Sequence, residues 1–302
     1  MNPLRRKERS TIDLEQVYPD VLDYSSECRP PLISGYCSAS LSSSSSRCLH
    51  RLCWEAKASV GAGCFALVGL VMMELEEQIH PQVPLAERSP FVGSFPLNPR
   101  PLFNYHGPYD SCMLAFSDGL VLPFLPSNTS LARRFRLLAR SAHRQLKSYQ
   151  KKLRGPKKGL DPHNPLRMVA SNYLTAIELA EAKIPEQHRN GINPQGAYPA
   201  NWSFSSATCG VSSVGSVKQW VAPGKFSLEI DGQEKDLAAD FRSVRMGVRA
   251  RDNEFLVGSM SDDDGNIQFA VSYDASAMDE GLVERWKEKI EMILEQKDGS
   301  KL

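Results

Sequence analysis

The side chains in this 302-residue chain best suited to metal binding, base catalysis or nucleophilic attack are six histidines and seven cysteines, and their spacing narrows what they can do. Cys28, Cys37, Cys48, Cys53, Cys64, Cys112 and Cys209 are odd in number and irregularly spaced, and no two form a C-x-x-C pair, so neither a disulfide framework nor a zinc site is indicated. His50, His80, His143, His163 and His188 have no ligand or carboxylate at a useful helical spacing, which points to structural or surface roles. Asp262-Asp263-Asp264 could attract calcium, but no EF-hand spacing follows, and a solvated hairpin tip is the expectation. Asp118-Gly119 and Asp274 read as turn formers, and no metal site is expected. Residues 131–158 hold eleven Lys or Arg and no acid, a face that could meet phosphates, RNA or a membrane surface. It has no aromatic interleaving and its apolar stripe belongs in a core, so a solvated helix face is the leading expectation.

The bulk composition is that of a globular protein, 41% hydrophobic and 24% charged. Charges nearly cancel, 36 basic against 35 acidic, so no whole-molecule field draws the chain to nucleic acid, and none is expected as a partner. The amino terminus has basic residues but no apolar segment behind them, so secretion by signal peptide is not expected, and the chain reads as cytoplasmic, in a reducing compartment. Ala58 to Met73 is uncharged for 16 residues. That is short of the roughly 20 a spanning helix needs, so a buried core helix is expected rather than a membrane span.

Residues 1–48 end in a serine run, Ser42 to Ser46, with no periodic apolar face, and read as a disordered leader. From Leu49 helical pieces begin, and the apolar helix continues through Ile79 until Pro81 and Pro84 close it. Pro90 to Phe103 is extended, its prolines fitting an edge or crossing strand. The best-defined helix spans Leu131 to Leu153, with Leu131, Phe135, Leu138, Ala142, Leu146, Tyr149 and Leu153 in one stripe and Gly155-Pro156 ending it. A second helix fits Pro165 to Ala182, and 184–199 reads as loop. Strands are expected at Asn201–Thr208, Phe226–Ile230, Val244–Ala250, Phe255–Met260 and Ile267–Tyr273, the last two joined as a hairpin. A helix from Asp279 to Gln296 closes the chain. Helices, then a sheet, then a helix predict an α/β fold, an α+β two-layer sandwich with a mixed sheet flanked by helices.

This order carries particular words. Trp54 to Met73, then Pro-Phe-Val-Gly-Ser-Phe-Pro-Leu-Asn-Pro-Arg at 90–100, Phe116-Ser117-Asp118-Gly119, Ala139 to Leu146, Ser203 to Ser206 with Val214 to Val217, and a tail from Asn266 to Leu294 follow in sequence. Together they resemble the chloramphenicol acetyltransferase-like superfamily of CoA-dependent acyltransferases and condensation domains, most of all fungal trichothecene 15-O-acetyltransferase-type proteins. The resemblance covers roughly residues 49–296, and it implies the C-terminal lobe of that fold over residues 49–298.

The resemblance implies transfer of an acetyl or other acyl group from a CoA thioester to a hydroxyl of a small secondary metabolite of the mycotoxin or terpenoid type. A histidine would deprotonate the acceptor, and donors near the thioester carbonyl would stabilise the oxyanion. The family writes that histidine in an H-H-x-x-x-D-G motif in its first lobe. This sequence has no His-His pair, and its one H-x-x-x-D match is His106-Gly-Pro-Tyr-Asp110, with Ser111 in place of glycine and placed after the crossing segment rather than before it. His106 and Asp110 are therefore the candidate catalytic pair, with an ordinary loop histidine as the alternative. Lys157 and Lys158 are the candidate contacts for CoA phosphates. Acetyl-CoA or another acyl-CoA is expected as co-substrate, with no bound cofactor, and a hydroxylated small molecule as acceptor. Against this resemblance no first lobe is expected upstream of Leu49, and either a separate lobe or self-association is expected at the face it would cover. Two alternatives stand beside the enzyme: a non-catalytic ligand- or partner-binding protein on the same fold, and a peripheral polyanion- or membrane-binding protein using 131–158.

Overall fold

A computed structural model describes residues 2–4, 34–98, 100, 115–117, 119–153, 208–219, 224–230, 233–241, 247, 248, 250, 254–275 and 277–295. The apolar run forms the middle of a helix, Val60–Ile79, in which every residue from Ala62 to Met73 is buried. No single helix among the described residues is long and apolar enough to cross a membrane. A helix apolar on all sides needs partners on all sides, and this one has them. Ser43–Ala56 (α1) and Leu131–Leu153 (α3) cover Val60–Ile79 (α2) on one side, and a sheet covers the other. Ser59 caps α2, its hydroxyl accepting from the Ala62 N–H at 3.3 Å. Two glycines let α2 come close to its neighbours. A Cβ on Gly63 would collide with the Cys53 sulfur of α1, and one on Gly69 would sit 3.3 Å from the Phe91 ring.

The six-stranded sheet runs β1-β10-β9-β6-β2-β5, with β1 Ser34–Ser40, β2 Phe91–Ser94, β5 Leu120–Leu122, β6 Cys209–Ser216, β9 Phe255–Ser261 and β10 Ile267–Asp274. It is mixed: β2, β6 and β9 run parallel, and the outer pairings are antiparallel. Alternation does the layering. Phe255, Val257, Ile267, Phe269 and Val271 are buried, while Leu256, Gln268 and Ala270 are only half-buried, as a sheet covered on one face requires. Two short pairs complete the described strands, β3 Pro96–Leu97 with β4 Ala115–Phe116, and β7 Gly224–Ile230 with β8 Gln233–Phe241. A last helix, α4 (Glu280–Met292), is capped by Asp279 and drives Trp286, fully buried, edge-on against Phe255 with ring centroids 5.3 Å apart.

Several expectations hold. The stripe on α3 is buried at Phe135, Leu138 and Ala142, and the β9–β10 hairpin turns where the aspartates predict. Asp262 accepts backbone N–H bonds from Asp264 at 3.0 Å and Asn266 at 2.8 Å, and Gly265 supplies the positive φ of 82°. Others are corrected. The serine run is not a disordered leader: β1 pairs residue for residue with β10, and α1 begins at Ser43 rather than Leu49. The reason is that its hydroxyls find partners far along the chain. Ser42 caps α1 and donates to Glu295 at 2.7 Å, and Ser46, buried, accepts from the Ile267 N–H at 3.0 Å. Leu4 is also buried, its carbonyl accepting from the Asp279 N–H at 2.9 Å. The Pro90 segment yields β2, which lies inside the sheet between β6 and β5 rather than at its edge; the two prolines nearest the strand, 90 and 96, fall just outside it. Gly247, Val248 and Ala250 are not in a strand. The helix at 165–182, the loop at 184–199 and the extended stretch 201–207 lie outside the described residues.

Both polar ends of α2 are tied down. At the carboxyl end, Glu74 is 12% exposed and bonds Arg134 of α3 at 2.6 Å and Lys289 of α4 at 3.0 Å. Glu77 accepts from the Ser127 N–H at 3.0 Å, and Gln78 accepts from Arg285 at 3.2 Å. At the edge strand β5, the Gln145 side chain accepts from the Val121 N–H at 2.9 Å and donates to the Val121 carbonyl at 2.8 Å.

Glu74→Ala should cost about 3 kcal/mol of unfolding free energy, since it removes the carboxylate shared by buried Arg134 and half-buried Lys289; urea denaturation followed by circular dichroism measures it. Gly63→Ala should cost about 1–3 kcal/mol by the same measurement, because the added methyl meets the Cys53 sulfur in a packed seam.

Candidate active site

Open α/β sheets place ligands outside the carboxyl ends of parallel strands. Here that edge is defined by β2, β6 and β9. Ser94 ends β2 opposite Gly210, and β6 runs on to Ser216, opposite Ser261. Past Ser94 the chain swerves through Phe95, whose N–H donates to the Ser117 hydroxyl at 3.0 Å and whose carbonyl accepts from the Ser117 N–H at 2.9 Å. The Phe95 ring meets Phe65 and Tyr149 edge-on, at 6.1 and 5.2 Å. These contacts fix the crossing segment read from the sequence at 90–100.

The amino end of α2 lies against the same part of β6. A Cβ on Gly61 would be 3.2 Å from the Ser213 side chain, so glycine there lets helix and strand meet. From α3, His143 Nδ1 accepts the Ser59 N–H at 3.2 Å. Ser59, Gly61, Ser213 and His143 therefore converge from three elements, a grouping with no local signal in the sequence because Ser59 and His143 are 84 positions apart. The chemistry of that imidazole follows from its bond. Nδ1 is spent as an acceptor, which assigns the proton to Nε2, so this nitrogen can donate but cannot take a proton from a substrate. Burial, then the Lys147 charge, holds the His143 pKa below its ordinary value. Among the described residues His143 is thus a positioning group and not a general base.

The buried thiols are equally unsuited to nucleophilic attack. Burial pushes Cys64 up to about 11, and burial with the neighbouring Cys64 pushes Cys53 up to about 12. Burial also raises Cys209. Neutral thiols at working pH do not attack thioesters. No group of His, Cys, Asp and Glu that could hold a metal occurs among the described residues. A depression between α2 and β2 is lined by the apolar Met72, Met73, Phe91 and Phe124 and by the polar Glu76, Ser89 and Thr208, of which Thr208 accepts from the Val92 N–H at 3.1 Å and donates its own N–H to the Val92 carbonyl at 2.7 Å. His106, Asp110, Lys157 and Lys158 lie outside the described residues.

A folded-state pKa held below the unfolded one means His143 favours folding when neutral. Its contribution is present above about pH 6.5 and is lost as pH falls through the lowered folded value. Proton NMR titration of the ring should give a midpoint below about 6.5 that moves upward in Lys147→Gln; a midpoint at or above 6.5 contradicts this burial beside Lys147.

No protein-family model and no curated protein matches the sequence. Solved structures do. Trichothecene 15-O-acetyltransferase from Fusarium sporotrichioides superposes with a TM-score of 0.58 at 12% identity, over 88% of this chain and 48% of that one. A four-domain nonribosomal peptide synthetase superposes with a TM-score of 0.48 at 14% identity, over 87% of this chain and 16% of that one. The condensation enzyme VibH gives 0.40 at 14% identity, over 93% and 51%. The chain thus spans about half the length of the acetyltransferase, whose likeness at this identity speaks to fold alone. The mixed six-stranded sheet with its flanking helices therefore has the fold of about half of that acetyltransferase chain.

Proposed function

We propose that this chain serves acyl transfer from a CoA thioester to a hydroxyl of a small secondary metabolite, as the second lobe of a two-lobed centre. The observation that supports the reading is the lobe's fold, matched to the acetyltransferase over 88% of this chain. In this reading the crossing segment and the carboxyl ends of β2, β6 and β9 form one wall of the acceptor site, Lys157 and Lys158 meet the CoA phosphates, and the general base comes from a first lobe. Acetyl is the acyl group proposed, with hydroxylated terpenoids of the mycotoxin type as acceptors. The second reading is a non-catalytic partner- or ligand-binding lobe, which is favoured by the absence of a His-His pair anywhere in the sequence.

Calorimetric titration of CoA into the purified chain separates the two. Binding is expected, weakened about tenfold by Lys157→Ala with Lys158→Ala through loss of two phosphate contacts; no CoA binding by either protein removes the acyl-transfer reading and leaves the binding lobe. Thiol release from acetyl-CoA, assayed against hydroxylated sesquiterpenes, then locates the base. No turnover by a folded chain is expected, whereas turnover abolished by His106→Ala would put the base at His106 in this chain and overturn the need for a first lobe.

A further inference from the structure

The outer face of α3 is a single row of cations. Arg133, Arg136, Arg140, Arg144, Lys147 and Lys151 are all exposed and follow one another at spacings of three, four, four, three and four. That is the repeat of one helix face, about 27 Å long at 1.5 Å per residue. The opposite face is in the core, so the row cannot rotate inward. Arg134, a basic residue off this row, is buried and bonded to Glu74 instead. Carboxylates barely offset the row: α3 holds no acid, and among the described residues the row's ion-pair partner is Glu55, 3.7 Å from Arg136 and shared with Arg51 at 4.0 Å.

Exposed apolar side chains accompany the row. Leu137, between Arg136 and Arg140, is 53% exposed, and Trp54 of α1 is 81% exposed. Trp54 belongs to the turn of α1 that meets the row, where Glu55 bonds Arg136 and the Ala56 carbonyl accepts from Arg140 at 3.1 Å. An exposed indole beside a linear row of cations suits a surface that is flat, anionic and apolar just below its charge layer. A nucleic-acid strand asks for something else: a groove that follows its backbone and several rings spaced to stack successive bases. The convex face of one helix with one ring beside it offers neither.

We propose that α3 and Trp54 form a docking face for an anionic lipid bilayer, with the helix lying along the membrane plane and Trp54 at headgroup depth. The near-neutral whole chain makes this a local attraction, confined to one side of the molecule. Each cation held near an anionic leaflet strengthens binding about fivefold.

Flotation with phosphatidylcholine vesicles tests it, with about one-third phosphatidylserine in one arm and none in the other. The chain should float with the anionic vesicles, stay behind with the neutral ones, and be released at about 0.5 M salt, where screening is nearly complete within about 4 Å. Arg133→Gln, Arg144→Gln, Lys147→Gln and Lys151→Gln combined spare the contacts of Arg136 and Arg140 and should weaken binding about 500-fold. Lys147→Gln with Lys151→Gln serves if the fourfold variant loses its helical circular dichroism, with about a 25-fold loss expected. Trp54→Ala should weaken binding several-fold at unchanged charge. No flotation with anionic vesicles, or flotation indifferent to the Gln variants, overturns the proposal. So does tighter binding to single-stranded RNA than to the anionic vesicles, lost in the same variants, which would assign the face to nucleic acid.

Discussion

The carboxylate of Glu74 holds this lobe together at the point where its central helix stops being apolar. Up to Met73 the helix Val60–Ile79 is gripped mainly by apolar packing, which fixes its depth but leaves its neighbours some freedom to slide along it. Glu74 removes that freedom by bonding a guanidinium on α3 and an ammonium on α4, one oxygen to each. Charge-assisted bonds in a half-dry seam are directional, so three helices are brought to one register by one side chain. Arg134 Nε adds a bond to the Thr129 carbonyl at 2.9 Å, which carries the constraint into the turn before α3. Together with the buried Phe135, Leu138 and Ala142, this pairing sets where α3 presents the imidazole that meets Ser59 and the amide that meets Val121.

The parts of the fold legible in the sequence were those whose stability is written in short-range pattern. The stripe of α3, the alternation of β9 and β10 and the Asp-Gly turn between them are each closed within a few residues. What escaped was held by partners more than 200 positions away. Ser42 and Ser46 look featureless in a row of serines, yet one is held by Glu295 and the other by the Ile267 N–H, and the strand before them is completed by β10. Small hydroxyls can be buried as soon as they are bonded, so a serine run is compatible with order or disorder until its partners are known. β8, Gln233–Phe241, escaped for another reason: Gln, Glu, Lys and Asp at its start carry no apolar alternation, and pairing with β7 defines it instead.

The site was legible only as an outline. The crossing segment could be read from its prolines and aromatic residues, and the structure gives it physical content in the Phe95–Ser117 bonds. The roles of the histidines could not be read, because a histidine's chemistry depends on which nitrogen is already engaged. His143 carried no sequence signal, and its bond to Ser59 removes it from base catalysis while making it a strut between two helices. At 12% identity to the acetyltransferase, layering and strand order persist where individual side chains do not.

The Gln145 amide at β5 has a further consequence. Its oxygen and nitrogen meet the Val121 N–H and carbonyl as a peptide unit of an adjacent strand would, so the last strand of the sheet is already answered by a side chain. An exposed strand edge is a template, and another chain in extended form reads it by hydrogen bonding without regard to sequence. The opposite border, β1, is answered in the same way, its Ser40 N–H being held by Glu291 at 3.0 Å. Each border of the six-stranded sheet thus carries a side chain that occupies part of its template and works against recruitment of a further strand.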